Sequence, residues 1–328
     1  AANALSWGSG LIFVDGKGDI KTMGLLYAMA KLWGRDADFL LLNFMPPPKT
    51  SDLAPGEDVS NTMNPYTTAE ADDIKQQVNG MMPAAGGDGM WKDRAMVMLE
   101  AVLLALCWGR DAGIIDISLA TIRKYITLDE LSSFLTHERF ALMPEVIKEN
   151  IRLYLSSLGA YDFEKLKTGG KQDPEVVKQH GFLEMQLSGP FAALANQYGA
   201  IFNSDFGEVD MFDVVLNRRI LIALLPSLAK SSDDTQRMGK IIVGALKSMM
   251  GKMLGNLGYI SDPTVKSLME VRLTNSPSPV IAILDECGYY TVNGMAVIAA
   301  QARSLGFSMV YAAQDIKAMT RYEEKEAQ

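Results

Sequence analysis

The stretch that most limits how this chain can fold runs from Pro279 to Asp315. Pro279-Val-Ile-Ala-Ile-Leu-Asp285-Glu286 is apolar without alternation until it closes in two carboxylates. A helical segment over 296–305 and a second apolar run, Phe307-Ser-Met-Val-Tyr-Ala-Ala-Gln314, follow. A strand that is apolar at every position must be covered on both faces, the condition of a parallel sheet sandwiched by helices. A parallel neighbour needs a crossover of helix length, and 296–305 supplies it. Ligand chemistry in such sheets gathers at the carboxyl ends of the strands. The spacing therefore puts Asp285 and Glu286 at one strand end and Gln314 near the next. Two adjacent carboxylates suit a nucleotide hydrolase of the Walker B type, because one must reach Mg²⁺ and its bound water while the other polarises an attacking water. Gln314 would then sense the γ-phosphate. Strands also end in acids simply where the chain meets water, but the repeated strand, helix, strand geometry weighs against that explanation.

The remaining elements repeat the same logic. Gly10 to Asp15 reads as a short strand, Gly16-Lys17-Gly18-Asp19 as a turn, Thr22 to Trp33 as an amphipathic helix and Asp38 to Phe44 as another strand. This β-α-β order predicts parallel pairing. Later, Val214 to Pro226 is expected to be a strand, apolar throughout its second half, with Ser231 to Asp234 capping a long helix over 235–254. At least five parallel strands are predicted. Met45-Pro-Pro-Pro to Pro65 reads as an excursion over the surface. Thr67 or Thr68 is placed to cap a helix reaching Met82, and a Gly86 to Gly89 turn separates it from a helix over 91–108.

From Arg110 to about Gly189 strand-like runs vanish. Helical segments follow one another at 119–126, 128–136, 144–158 and from Pro174, with Lys165 to Asp173 as a polar loop. This predicts an all-α domain over 110–189, inserted into an α/β domain formed by 1–109 and 190–328. Such inserts more often handle partners than chemistry.

Composition excludes several classes. The chain has 328 residues, 48% of them hydrophobic and 21% charged, enough for one large core or two domains. Its two cysteines, Cys107 and Cys287, lie in apolar stretches and indicate neither a disulfide framework nor a zinc cluster. His137 and His180 stand far apart in polar helical contexts and read as surface residues. The longest apolar run, 96–108, contains Glu100 and is too short to cross a bilayer, and no signal peptide is visible. The formal net charge of −8 would repel DNA from the bulk surface.

The phosphate loop G-x-x-x-x-G-K-[ST] is matched nowhere, since glycine follows Gly16-Lys17 and the other Gly-Lys pairs also lack a following hydroxyl. The opening residues, Ala1 to Gly8, read as the last turns of a helix that such a loop would cap. The expectation is that the loop precedes Ala1, in an excised fragment whose membrane attachment also lies outside it. Asp15, Lys17 and Asp19 are compatible with a solvated tight turn and, equally, with a direct role at a neighbouring strand end. Arg303, on the helix after Glu286, serves either as a cation for a neighbouring subunit's γ-phosphate or as a solvent-facing charge at a helix end.

Taken together, these motifs resemble those of the type IV secretion coupling protein ATPases. Val14-Asp-Gly-Lys-Gly-Asp19 resembles their Asp-Pro-Lys-Gly-Asp strand end, with Gly16 in the place of proline. Ile283-Leu-Asp285-Glu286-Cys-Gly is similar to their Walker B strand, Gln301-Ala-Arg303 to Gly306 to their arginine-bearing helix, and Ala313-Gln314 to their sensor strand. The likeness covers nearly the whole chain and is strongest toward the type IVB secretion system, with I-type conjugative plasmids as the alternative. It implies a RecA-like, FtsK/HerA-type fold, Mg²⁺ and ATP as cofactors, and a hexameric ring tethered by N-terminal helices to the cytoplasmic face of the bacterial inner membrane. The implied partners are inner-membrane components of the secretion system, adaptor chaperones and effector proteins, with DNA less favoured. On this resemblance Asp285 holds Mg²⁺ through water, Glu286 activates the attacking water, Gln314 senses phosphate and Arg303 acts in trans, while Asp15 and Lys17 stand beside the cofactor.

Overall fold

The computed structural model describes residues 1–45, 60–82, 89–226, 232–255, 278–291 and 294–314. The bulk of the proline-rich excursion (46–59), the turn at 86–88, the side-chain cap expected at 231–234, Asp315 and the polar tail 321–328 lie outside what it describes. The chain divides into two compact units, Ala1–Pro65 with Gly207–Gln328, and Tyr66–Phe206.

The first unit is an α/β sandwich. Strands β1 (Leu11–Asp15), β2 (Phe39–Asn43), β3 (Ile220–Leu224), β4 (Val280–Asp285) and β5 (Phe307–Tyr311) form one sheet in the order β2-β3-β1-β4-β5. All four pairings are parallel. Register follows burial. Leu11 pairs with Ile220 on one side and Ile281 on the other, so Leu11, Phe13, Ile220, Ile222, Ile281 and Ile283 share one face. That face packs against α1 (Ala2–Ser6) and α2 (Ile20–Leu32) through Ala4, Leu5, Leu26 and Ala30. A slip by one residue would turn this whole set toward the opposite face, which is why the register is so strongly specified. β3 is buried at every position, whereas β5 alternates as an edge strand does.

Two local features differ from the sequence-based expectation. Val214 to Leu216 belongs to a helix, Met211–Leu216 (α11), so the strand begins only at Ile220. Arg218, with φ +54°, makes the turn between them. The helix after β4 is also shorter than expected. Met295–Gln301 (α13) tightens into a 3₁₀ turn, Ala302–Leu305, that Gly306 ends at φ +81°. The long helix Ser232–Gly255 (α12) packs against this turn and against another 3₁₀ turn, Cys287–Tyr289.

The second unit is entirely helical among its described residues. It contains α3 (Ala71–Met81), α4 (Gly89–Asp111), α5 (Leu119–Tyr125), α6 (Leu128–Ser133), α7 (Glu145–Ser156), α8 (Phe163–Thr168), α9 (Pro174–Ala192) and α10 (Gly199–Phe202). Its boundaries fall outside 110–189 because α4 is its central element, touching α3, α5, α7 and α9. Helix α4 carries buried residues around most of its circumference, and a helix apolar all round must be surrounded by other helices. Helix α3 starts at Ala71, with Glu70 and not Thr67 or Thr68 at its N-cap position. Asp162 caps α8, whose last residues, 165–168, enter the stretch Lys165 to Asp173 expected to be loop.

His180 is not a surface residue: it is 1% exposed. Its Nε2 donates to the Ile126 carbonyl at 2.8 Å and lies 3.1 Å from Glu184 Oε1, and its Nδ1 accepts from the Tyr154 hydroxyl at 2.5 Å. Burial pushes the Tyr154 phenol well up, which keeps it a donor. The polar context of His180 along the chain does not reveal its burial, because two of its partners, Tyr154 and the Ile126 carbonyl, come from α7 and the α5–α6 corner.

Candidate functional site

The sheet order creates one crevice. The connection after β1 leads to β2 on one side of the sheet, and the connection after β4 leads to β5 on the other. Chains leaving two adjacent strands in opposite directions open a gap at their carboxyl ends, where open α/β sheets bind ligands. Asp15 and Asp285 are direct register partners at this gap.

The turn after β1 is built by Asp15. Its Oδ1 accepts from the amides of Lys17 (2.8 Å) and Gly18 (3.2 Å), and its Oδ2 from Asp19 (2.8 Å). The side chain is buried, and both oxygens are engaged in shaping the loop. Any contact of this carboxylate with a ligand would compete with those bonds. Asp19 in turn caps α2, accepting from the Lys21 amide and the Thr22 hydroxyl. These bonds hold its carboxyl below the usual range, Thr22 contributing most.

Two glycines make the turn possible. A Cβ at Gly16 would stand 2.6 Å from Glu286 Cβ and 2.9 Å from the Asp285 carbonyl oxygen, to which Gly16 N–H also donates at 3.2 Å. Gly18 sits at φ +67°, and a Cβ there would meet Met45 Sδ at 2.5 Å and the Leu225 carbonyl oxygen at 2.7 Å. Gly18→Ala is therefore expected to destabilise the protein by about 1–3 kcal/mol, from left-handed strain and overpacking together. Gly24→Ala, in the middle of α2 with open space around it, should instead stabilise by about 0.5–1 kcal/mol. Denaturant unfolding of the two variants checks the opposite signs.

Glu286 is the centre of the site. Its backbone is left-handed (φ +52°, ψ +38°), rare for a residue with a side chain and of a kind that concentrates at functional sites. Only 5% of the residue is exposed. Lys17 Nζ lies 2.8 Å from its Oε1, and Gln314 Nε2 donates to the same oxygen at 2.8 Å. Burial alone pushes the Glu286 carboxyl up, but the hydrogen bonds from Lys17 and Gln314 and the lysine charge outweigh it, so the group is held below its ordinary value. Lys17 is raised in return, chiefly by its hydrogen bond to Glu286 and by that carboxylate's charge.

Asp285 is half-buried, and its Oδ1 accepts from the Glu286 amide at 3.1 Å. Its Oδ2 takes no hydrogen bond among the described residues, so this oxygen has capacity for a cation or for a cation's water. A hard carboxylate oxygen suits Mg²⁺. No cluster of three or more His, Cys, Asp or Glu that could hold a metal occurs among the described residues.

Tyr290 escaped the sequence reading. Its buried hydroxyl donates to the Asp285 carbonyl at 2.6 Å and lies 3.3 Å from that of Val14, tying the ends of β4 and β1 together. Burial pushes its phenol well above the ordinary value. Gly239 of α12 lies against its ring, where a Cβ would come within 2.3 Å of Tyr290 Cβ. No periodicity marks such a residue, since it acts through backbone carbonyls of two strands distant in sequence.

The structure thus brings Asp15, Lys17, Asp285, Glu286 and Gln314 to one crevice. Arg303 is not part of that cluster. It is exposed on the 302–305 turn, and its guanidinium makes no ion pair or hydrogen bond among the described residues.

No protein-family model matches the chain. Over 338 aligned positions, 99% of its length, it is 41% identical to the type 4 coupling protein DotL of Legionella pneumophila subsp. pneumophila, of which it covers 42%. In fold it is similar to the bacterial conjugative coupling protein TrwBdeltaN70 in unbound form, with a TM-score of 0.51 and 14% identity, covering 99% of this chain and 61% of that one. It is similar also to the plasmid coupling protein TrwB in complex with a non-hydrolysable ATP analogue, with a TM-score of 0.50 and 14% identity, covering 99% and 62%. The chain therefore spans less than half of DotL and about three fifths of the TrwB chains. Along nearly its whole length the chain is similar in sequence to the type 4 coupling protein DotL, and its five-stranded parallel fold is similar to that of TrwB.

Proposed function

We propose that this chain is the nucleotide-hydrolysing part of a coupling protein that delivers effector proteins to a type IVB secretion channel. It works as a hexameric ring with ATP hydrolysed between subunits. The observation that supports this best is Glu286, a buried, ionised carboxylate gripped by Lys17 and Gln314 at the crevice and adjacent to an aspartate with an uncommitted oxygen. The solved TrwB complex with an ATP analogue names the nucleotide for a protein of the same fold.

In this reading Glu286 accepts a hydrogen bond from the attacking water and turns its lone pair toward the γ-phosphate. Gln314 reports the phosphate's presence, Lys17 lies beside it, Asp15 holds the loop in shape, and Arg303 reaches the site of the adjacent subunit. Asp285 would hold Mg²⁺ through water, and the ion would neutralise charge developing on the phosphates. The helical unit, 66–206, would face adaptor chaperones and substrates, and the ring would sit on the cytoplasmic face of the inner membrane beside other secretion components. Among the described residues no helix is long and apolar enough to cross a membrane. A second reading, DNA translocation, draws on the fold's likeness to a conjugative coupling protein, but the net charge of −8 favours protein substrates.

The test is ATP turnover by the full-length protein, with its oligomeric state followed as concentration rises. Turnover that climbs with assembly is expected. Nucleotide binding without hydrolysis at any assembly state would instead make the α/β unit a scaffold for the helical one.

A further inference from the structure

Both donors to Glu286 reach the same oxygen. Lys17 Nζ and Gln314 Nε2 each lie 2.8 Å from Oε1, while Oε2 takes no hydrogen bond among the described residues. Two donors from two different strand ends, that of β1 and that of β5, fix a carboxylate in plane and in rotation, where one donor would leave it free to turn. The Lys17 ammonium reaches this position because the Asp15 carboxylate folds the turn beneath it, and because Gly16 lets the turn approach to within contact of Glu286. Two donors on one oxygen also leave the other oxygen as the acceptor for a water.

We propose that Lys17 is a positioning residue for the reaction. It does not serve mainly as a ligand to the nucleotide; together with Gln314 it orients Glu286 so that Oε2 is presented to the attacking water. This inference rests on the proposed ATP hydrolysis and adds to it a residue that acts through Glu286.

A pure phosphate ligand and a positioning residue separate in kinetics. Removing a phosphate ligand weakens substrate binding, whereas misplacing the water-activating carboxylate lowers the rate of the bound complex. The lysine side chain is 54% exposed, so Lys17→Met should fold. In the full-length protein, Lys17→Met is expected to lower kcat by about 10-fold to 100-fold, leaving KM and the affinity for a fluorescent ATP analogue unchanged. Lys17→Arg, which keeps the charge and the donors, should restore most of the rate.

A second readout needs no turnover. In the nucleotide-free protein, hydrogen exchange at the amides of Glu286 and Cys287 should quicken in Lys17→Met and return toward wild type in Lys17→Arg. A raised KM with intact kcat would overturn the proposal, and so would unchanged exchange at these amides. If the wild-type protein never hydrolyses ATP, the proposed function fails by itself, and the exchange measurement still decides whether Lys17 holds Glu286.

Discussion

Glu286→Gln in the full-length protein is expected to cut ATP turnover by about 10²-fold to 10⁴-fold, the range for removing a positioned general base. Glutamine has the same shape and can still offer an oxygen to Lys17 and Gln314, so the geometry around the 2.8 Å contacts should survive. What is lost is the negative charge that draws a proton from water. Nucleotide affinity should therefore persist, giving a protein that binds ATP and stalls. Stability should change little, because the Lys17 side chain is already more than half exposed and its charge stays solvated. Steady-state turnover with a parallel binding titration separates these effects. Unchanged turnover in the variant would remove Glu286 from the chemistry and, with it, the proposed mechanism.

Arg303→Ala should produce a loss of about 10³-fold to 10⁵-fold if the arginine stabilises transition-state charge, the range for arginine fingers. Arg303 is exposed, and its guanidinium makes no ion pair among the described residues. Mixing is the sharper form of the experiment. A ring assembled from Arg303→Ala and Glu286→Gln subunits contains interfaces with an intact Glu286 on one side and an intact Arg303 on the other. Turnover should reappear in the mixture though each variant alone is inactive. If the mixture stays inactive while the wild type assembles and turns over, Arg303 does not act in trans.

Much of this site was legible in the chain because its chemistry sits at strand ends, and strand ends are marked by where apolar runs stop. Asp285, Glu286 and Gln314 were found that way, and the observed strands β4 and β5 end beside them. The nearness of Lys17 to Glu286 was not legible. The two are separated by 269 positions, and their contact depends on β1 lying between β3 and β4 in the sheet. Helix boundaries failed where tertiary contacts outweigh local pattern. Helices α3 and α4 read as part of the α/β domain but cluster with the helical unit, because α4 packs against α3, α5, α7 and α9. His180 looked polar and exposed for a related reason, since only the fold supplies the tyrosine and the carbonyl around it.

By itself the sequence determined the class of fold and the residue types at the crevice, because burial on both faces demands unbroken apolar strands and parallel order demands helical crossovers. Only the tertiary structure decided which side chains meet. The strand order sets two adjacent strand ends at the crevice, and glycine at position 16 removes the side chain that would keep them apart. Glu286 can then turn into a left-handed conformation and place one oxygen between Lys17 and Gln314.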